Sequence, residues 1–69
     1  MKIELNGIAI ETEARTLAEL LVEQHIDAGC VASAVNGEFV PRQRYSSEPL
    51  VAGCRLEVLS PMQGDRKST

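Results

Sequence analysis

Two Asn-Gly pairs, Asn6-Gly7 and Asn36-Gly37, constrain the fold of this chain more than any other feature. Short segments that alternate between polar and apolar residues flank each pair. Asn and Gly both tolerate the positive φ values that a two-residue hairpin turn requires. The sequence therefore predicts two β-hairpins, one over residues 2–11 and one over residues 31–40.

The first hairpin needs a cover, because a lone hairpin is unstable in water. Alternation places four aliphatic residues of this hairpin on one face, namely Ile3, Leu5, Ile8 and Ile10. A helix predicted over about residues 16–25 supplies the cover. Thr16 and Glu19 form a capping-box pattern at its start, and an apolar stripe follows at helical spacing, consisting of Leu17, Leu20 and Leu21.

The second half of the chain completes a mixed sheet. Small side chains over residues 31–35 suit a strand that a helix crosses closely, and residues 42–53 form a polar loop anchored by Leu50. The last strand covers residues 55–59, with Leu56 and Val58 facing inward. This order predicts an α+β domain with four to five strands and one helix across one face. We expect residues 1–60 to form the domain and residues 61–69 to form a flexible C-terminal tail.

Size and charge exclude several classes of function. A chain of 69 residues with 3% aromatic residues forms one small domain with an aliphatic core. Enclosing a pocket of roughly 300 Å³ would hollow out such a core, which argues against a self-contained enzyme. The net charge is −3 with no basic stripe, which argues against nucleic-acid binding. Without an apolar leader or span, and with two cysteines only, we expect a cytoplasmic protein with reduced thiols.

Few side chains are candidates for chemistry, and we predict no catalytic residue and no metal site. His25 is expected on the surface, and Cys30 and Cys54 are expected as packing or loop residues. Arg42 and Arg44 either brace the loop or grip a partner. In contrast, Leu59 alternates with the inward residues of the last strand, so an exposed apolar contact with a partner is predicted for Leu59 and Met62. Phe39 fits either a partner contact or the core.

Four segments together resemble the ThiS family, the sulfur carriers of thiamine biosynthesis. These segments are residues 1–7, 16–21, 34–42 and 56–64, which occur in the family's order and spacing. The stretch from Val35 to Arg42 and the Pro61-Met62-Gln63-Gly64 exit are the most specific parts. The resemblance implies a β-grasp, ubiquitin-like fold and a carrier that is not itself an enzyme and holds no cofactor.

The resemblance also implies the partners and the reacting group. An ATP-dependent adenylating enzyme of the ThiF type would activate the carboxylate of the C-terminal glycine, here Gly64, which then becomes a thiocarboxylate. A thiazole synthase of the ThiG type would receive the sulfur. ATP and any metal belong to the activating enzyme. Pro61, Met62 and Gln63 would line the partner's channel, since the five residues from Ser60 to Gly64 span at most ~17 Å.

Asp65 departs from the family, in which the mature tail ends in Gly-Gly. A charged side chain beside the reacting carbon must lose its water, which is costly when the charge is unpaired. Three explanations stay open: a peptidase cuts after Gly64, the tail is a variant that binds partners without being activated, or the end is an artefact of the recorded sequence. We expect that the chain as written is not thiocarboxylated. The alternative functions are a β-grasp interaction module with a degenerate tail and a carrier for another pathway, such as the molybdopterin pathway.

Overall fold

The computed structural model describes residues 1–60, and the predicted tail over residues 61–69 lies outside the described residues. Within residues 1–60, five strands and one α-helix follow one another in the predicted order. Their bounds are β1 (Lys2–Leu5), β2 (Ile8–Glu11), α1 (Leu17–Glu23), β3 (Ala32–Val35), β4 (Glu38–Val40) and β5 (Arg55–Leu59). Short 3₁₀ turns at Ala28–Cys30 and Arg42–Arg44 interrupt the connections.

The strands form one mixed sheet in the order β2-β1-β5-β3-β4. The last strand of the chain therefore lies in the middle, parallel to β1 and antiparallel to β3. Leu56 pairs with Leu5 on one side and with Val35 on the other. The two hairpins are thus joined into a single sheet only through β5.

Both predicted hairpins are confirmed. The register places Leu5 opposite Ile8 and Val35 opposite Glu38, so that each Asn-Gly pair is a two-residue loop. Asn6 and Asn36 have φ values of 50° and 53°, and the glycine that follows each of them is also at positive φ. Positive φ at both central residues is the type I′ geometry, which matches the twist of the flanking strands.

Helix α1 covers one face of the sheet, and it begins and ends within the predicted range. The Thr16 hydroxyl accepts from the Glu19 N–H at 3.2 Å, as the capping box predicts. The Glu19 carboxylate accepts from the Arg15 N–H at 2.8 Å, one residue before the usual partner in that motif. The helix is shorter than predicted because His25, at a φ of 61°, adopts a left-handed conformation.

The core lies between α1 and the sheet. The buried apolar residues include the predicted helical stripe and the inward residues of β5, namely Leu17, Leu20, Leu21, Leu56 and Val58. The register of the first hairpin confirms that its four aliphatic residues share a face. Ile8, however, is 66% exposed because it lies at the end of an edge strand.

The connection over residues 41–54 contributes more to the core than a polar loop was expected to. Leu50 is buried, as predicted, but Tyr45 is buried as well and was not predicted. The Tyr45 carbonyl accepts from the Ala18 N–H at 3.0 Å, and the Glu48 carbonyl accepts from the Leu17 N–H at 3.0 Å. These bonds tie the connection to the first turn of the helix. Within residues 1–60, no helix has the length and apolar character needed to cross a membrane.

The end of α1 generates a stability prediction. The His25 N–H donates to the Val22 carbonyl at 3.1 Å and the Ile26 N–H donates to the Leu21 carbonyl at 2.8 Å, which is a Schellman motif. We expect His25→Gly to raise the free energy of unfolding by about 0.5–1 kcal/mol, because glycine adopts positive φ without a Cβ penalty. Urea denaturation measures the change.

Gln24→Gly is the matched control, since Gln24 has a negative φ of −89° at the preceding position. Glycine there adds chain entropy to the unfolded state and relieves no strain, so this variant should be destabilised. If His25→Gly is also destabilised, the left-handed position does not limit the stability of the helix end.

Candidate functional site

The sheet face opposite α1 carries an apolar patch. Phe39 on β4 is 69% exposed and Leu59 on β5 is 66% exposed. The register places Phe39 opposite Ala34 and Leu59 opposite Ala32, so both large side chains lie on the same face on either side of β3. We call Phe39, Ala32, Ala34 and Leu59 the open-face patch. It is the part of the described surface where the predicted partner residues meet.

The open-face patch has the shape of a shallow groove. Neighbouring strands lie about 4.8 Å apart, and Phe39 and Leu59 are staggered by two residues of about 3.4 Å each along β3, so their backbones lie roughly 12 Å apart across that strand. The floor consists of Ala32 and Ala34, whose side chains are small. The prediction that the small residues of β3 lie under the helix is therefore wrong for the two alanines. The helix side of β3 is formed instead by Ser33, which is buried, and by Val35, which pairs with Leu56 and packs against the core.

Charged residues border the open-face patch toward β1. Glu57 lies opposite Ala34, and Arg55 pairs with Glu4 of the neighbouring strand on the same face. All of β5's outward residues are exposed, in contrast to the buried Leu56 and Val58. An apolar centre with a charged rim is the usual composition of a protein–protein interface.

The open-face patch leads directly to the C-terminal segment. Strand β5 ends at Leu59, and Ser60 is the last described residue. Four of the predicted site residues come after it and lie outside the described residues, namely Pro61, Met62, Gln63 and Gly64. The structure thus places Phe39 and Leu59 on the same face, and Leu59 directly precedes the start of the predicted tail.

Two asparagine side chains hold β5, and sequence reasoning missed both roles. The Asn6 carboxamide donates from Nδ2 to the Val58 carbonyl at 3.1 Å and accepts at Oδ1 from the Val58 N–H at 2.9 Å. The Asn36 Oδ1 accepts from the Arg55 N–H at 2.9 Å, near the start of the same strand. The sequence identifies both asparagines only as turn formers. The contacts span 52 and 19 residues, so no local pattern signals them.

The remaining candidates show no arrangement for catalysis within residues 1–60. Cys54 is buried, and the exposed Cys30 has its Sγ 3.5 Å from Oδ2 of Asp27. No group of three or more His, Cys, Asp or Glu side chains in the described part of the chain could hold a metal ion. Arg44 forms an ion pair with Glu48 at 3.3 Å, which braces the loop.

A surface depression of about 460 Å³ lies on the β1–β2 half of the sheet. Its lining includes Lys2, Glu4 and the backbone at Gly53, together with small aliphatic groups. The pocket that the chain length argues against is one enclosed by the core. This depression opens to solvent and therefore does not hollow out the core. Its lining contains no nucleophile paired with a base, so it offers no catalytic arrangement.

The sequence matches the ThiS family over residues 2–64. This chain belongs to the ThiS family. The fold agrees with that of the thiamine biosynthesis protein ThiS from Geobacter metallireducens, whose crystal structure is 23% identical in sequence. The TM-score is 0.80, and the similarity covers 87% of this chain and 93% of the other. No curated protein matches the sequence.

Family membership confirms the predicted β-grasp fold and indicates a sulfur carrier of thiamine biosynthesis. ThiS proteins are small carriers that act with other enzymes of the pathway and are generally not enzymes themselves. The match of this ThiS-family chain ends at Gly64 and therefore includes the whole Pro-Met-Gln-Gly exit. The roles of the individual site residues stay predictions.

Proposed function

We propose that this chain carries sulfur on the acyl carbon of Gly64 for formation of the thiazole ring of thiamine. The observation that carries the proposal is the family match, which runs through the central strand β5 and on to Gly64. Glycine suits a reacting terminus because it has no Cβ, so that its backbone can approach the walls of a partner's site closely.

The chemistry takes place in the active sites of partners. In the activating enzyme, of the ThiF type, a carboxylate oxygen of Gly64 attacks the α-phosphorus of ATP and pyrophosphate leaves. A sulfide equivalent from a sulfur donor then attacks the acyl carbon, the C–O bond to AMP breaks, and a C–S bond forms. The products are AMP and a thiocarboxylate. Thiazole synthase, of the ThiG type, accepts the sulfur. The carrier supplies no cofactor.

Asp65 has to be removed before Gly64 has a carboxylate. Hydrolysis of the Gly64–Asp65 peptide bond frees that carboxylate and also removes a charged side chain from beside the reacting carbon. Without this cleavage, the same domain would bind partners without being activated. Asp65 is therefore the one feature that favours the second candidate function, an interaction module with a degenerate tail.

The open-face patch is the proposed docking surface for the partners. An exposed apolar patch with a polar rim typically marks a protein–protein contact. Phe39 and Leu59 are its large side chains, and they project beside the chain exit. In this arrangement docking fixes the body of the carrier while Pro61, Met62 and Gln63 line the partner's channel. The cytoplasmic location stays a prediction.

A prediction about activation concerns the residue after Gly64. Three proteins are compared: the full chain, a chain that ends at Gly64, and a chain in which a single glycine replaces residues 65–69. After incubation with a ThiF-type enzyme, ATP and a sulfur donor, we expect intact mass spectrometry to show the exchange of one oxygen for sulfur in the two glycine-ended proteins only.

Thiocarboxylation of the full chain would show that Asp65 does not block the reaction. If none of the three proteins is modified, the carrier function is wrong. In that case, retained binding to the enzyme would identify the chain as an interaction module.

A prediction about docking concerns the open-face patch. We expect Phe39→Ser and Leu59→Ser each to raise the Kd for the activating enzyme by about tenfold or more, because large apolar side chains at the centre of an interface often contribute over 1 kcal/mol. Both side chains are exposed, so the free energy of unfolding should change by only about 0.5 kcal/mol. Isothermal titration calorimetry and urea denaturation measure the two quantities.

Val22→Ser provides the control, since Val22 is 74% exposed on the outer face of α1, away from the patch. Its Kd should equal that of the parent. Equal Kd values for the patch variants and the control would show that the partner docks elsewhere.

A further inference from the structure

Strand β5 extends beyond its neighbour β1. The last backbone pair between the two strands joins Leu5 to Leu56, and β5 continues to Leu59. The Asn6 N–H still donates to the Leu56 carbonyl at 2.8 Å. Beyond this point the chain of β1 turns away through Gly7, which leaves the next peptide groups of β5 without a neighbouring strand on that side.

The Asn6 side chain occupies the place of the missing strand. Its carboxamide has the same donor and acceptor as a peptide group, and it makes both hydrogen bonds with Val58, at 3.1 Å and 2.9 Å. On its other side Val58 lies opposite Ser33 of β3. Asn6 is thus the hydrogen-bond partner of both Val58 backbone groups, two residues before Ser60 and six before Gly64.

We propose that Asn6 is a positioning residue for sulfur transfer, because its carboxamide fixes the direction in which the chain leaves the domain toward Gly64. This inference rests on the proposed function. Leu59, which follows Val58 directly, lies on the same face as Phe39 through its pairing with β3, so the docking surface and the chain exit share strand β5. Ser60 lies two residues beyond Val58, so the direction of the backbone at Val58 limits the region that Gly64, up to ~17 Å further along the chain, can reach.

The orientation of the chain exit is expected to affect the rate of adenylation and not the affinity for the activating enzyme. The open-face patch supplies the docking contacts, and these do not include Asn6. A misplacement of about 1 Å at the reacting atoms can cost up to a hundredfold in rate. Loss of the Asn6 carboxamide should therefore lower kcat for adenylation and leave the half-saturating concentration of carrier nearly unchanged.

Asn36 offers a matched control in the same kind of turn. Its Oδ1 accepts from the Arg55 N–H, and its own N–H donates to the Arg55 carbonyl at 2.7 Å. Asn36→Asp keeps this acceptor and keeps a residue suited to positive φ. Asn6→Asp also keeps the turn, but it replaces the donor with a carboxylate oxygen that faces the Val58 carbonyl. Asn6→Gly removes the side chain and preserves the turn.

The experiment uses the protein that ends at Gly64 and three variants of it, Asn6→Asp, Asn6→Gly and Asn36→Asp. The truncated protein keeps every residue of the sheet and core that the structure describes within residues 1–60, and its free energy of unfolding is compared with that of the full chain by urea denaturation. We expect both Asn6 variants to show about tenfold lower kcat with a ThiF-type enzyme. Asn6→Gly should also show about tenfold faster hydrogen exchange of the Val58 amide, because this variant loses the acceptor of that N–H, whereas Asn6→Asp keeps an acceptor oxygen there. Asn36→Asp should match the parent in both measurements.

Each other outcome is diagnostic. A purely structural role lowers the folded fraction, which raises the half-saturating concentration at unchanged kcat and overturns the inference. Unchanged Val58 exchange in Asn6→Gly, or an equal loss of kcat in Asn36→Asp, also overturns it. If the inference alone is wrong, the parent and the Asn6 variants are equally active. If the parent itself is not activated, the proposed function is wrong and the positioning role falls with it.

Discussion

The structure depends on the placement of the last strand between the first and the third. Before β5 is in place, the chain contains two hairpins, and an isolated two-stranded hairpin is marginally stable at best. β5 supplies pairing to both at once, through Leu5 on one side and Val35 on the other. It also places Leu56, which is fully buried, at the centre of the core under α1. Sheet formation and core formation are therefore one cooperative event.

This placement has a consequence for function. The central strand, which pairs with β1 on one side and with β3 on the other, leads directly to the residues that are proposed to react, so the chain exit is anchored in the middle of the sheet. The two Asn-Gly turns serve this anchoring as well as the hairpins. The Asn6 carboxamide bonds through Nδ2 and Oδ1 to Val58, near the end of β5. The Asn36 Oδ1 accepts from the Arg55 N–H at the start of the same strand.

The sequence predicted the features that arise from neighbouring residues. The turns, the helix start at Thr16 and the inward positions of Leu56 and Val58 result from φ preferences, capping and alternation, and the structure confirms all of them. The exposure of Leu59 results from the same alternation. Strong local signals of this kind are sufficient to give the order of the elements and the fold class.

The features that the sequence did not predict depend on contacts between distant residues. The Asn6–Val58 pair links the two ends of the domain, and the burial of Tyr45 depends on a helix start that lies 27 positions earlier in the chain, at Ala18. The sequence does not decide between core and surface for Phe39, because Glu38-Phe39-Val40 is too short to fix the phase of alternation. Only the pairing with β3 places Phe39 opposite Ala34 on the exposed face.

Fold and reactivity are separable in a carrier of this design. The sheet, the core and the open-face patch lie within residues 1–60, whereas the group proposed to react is the carbonyl carbon of Gly64. A change at position 65 therefore alters the chemistry of the terminus and leaves the residues of the described sheet and core unchanged. Because the family match depends on residues 2–64, it identifies the carrier body with or without Asp65. The proposed activation requires hydrolysis of the peptide bond between Gly64 and Asp65, because the acyl carbon of Gly64 belongs to a carboxylate only after that bond is broken.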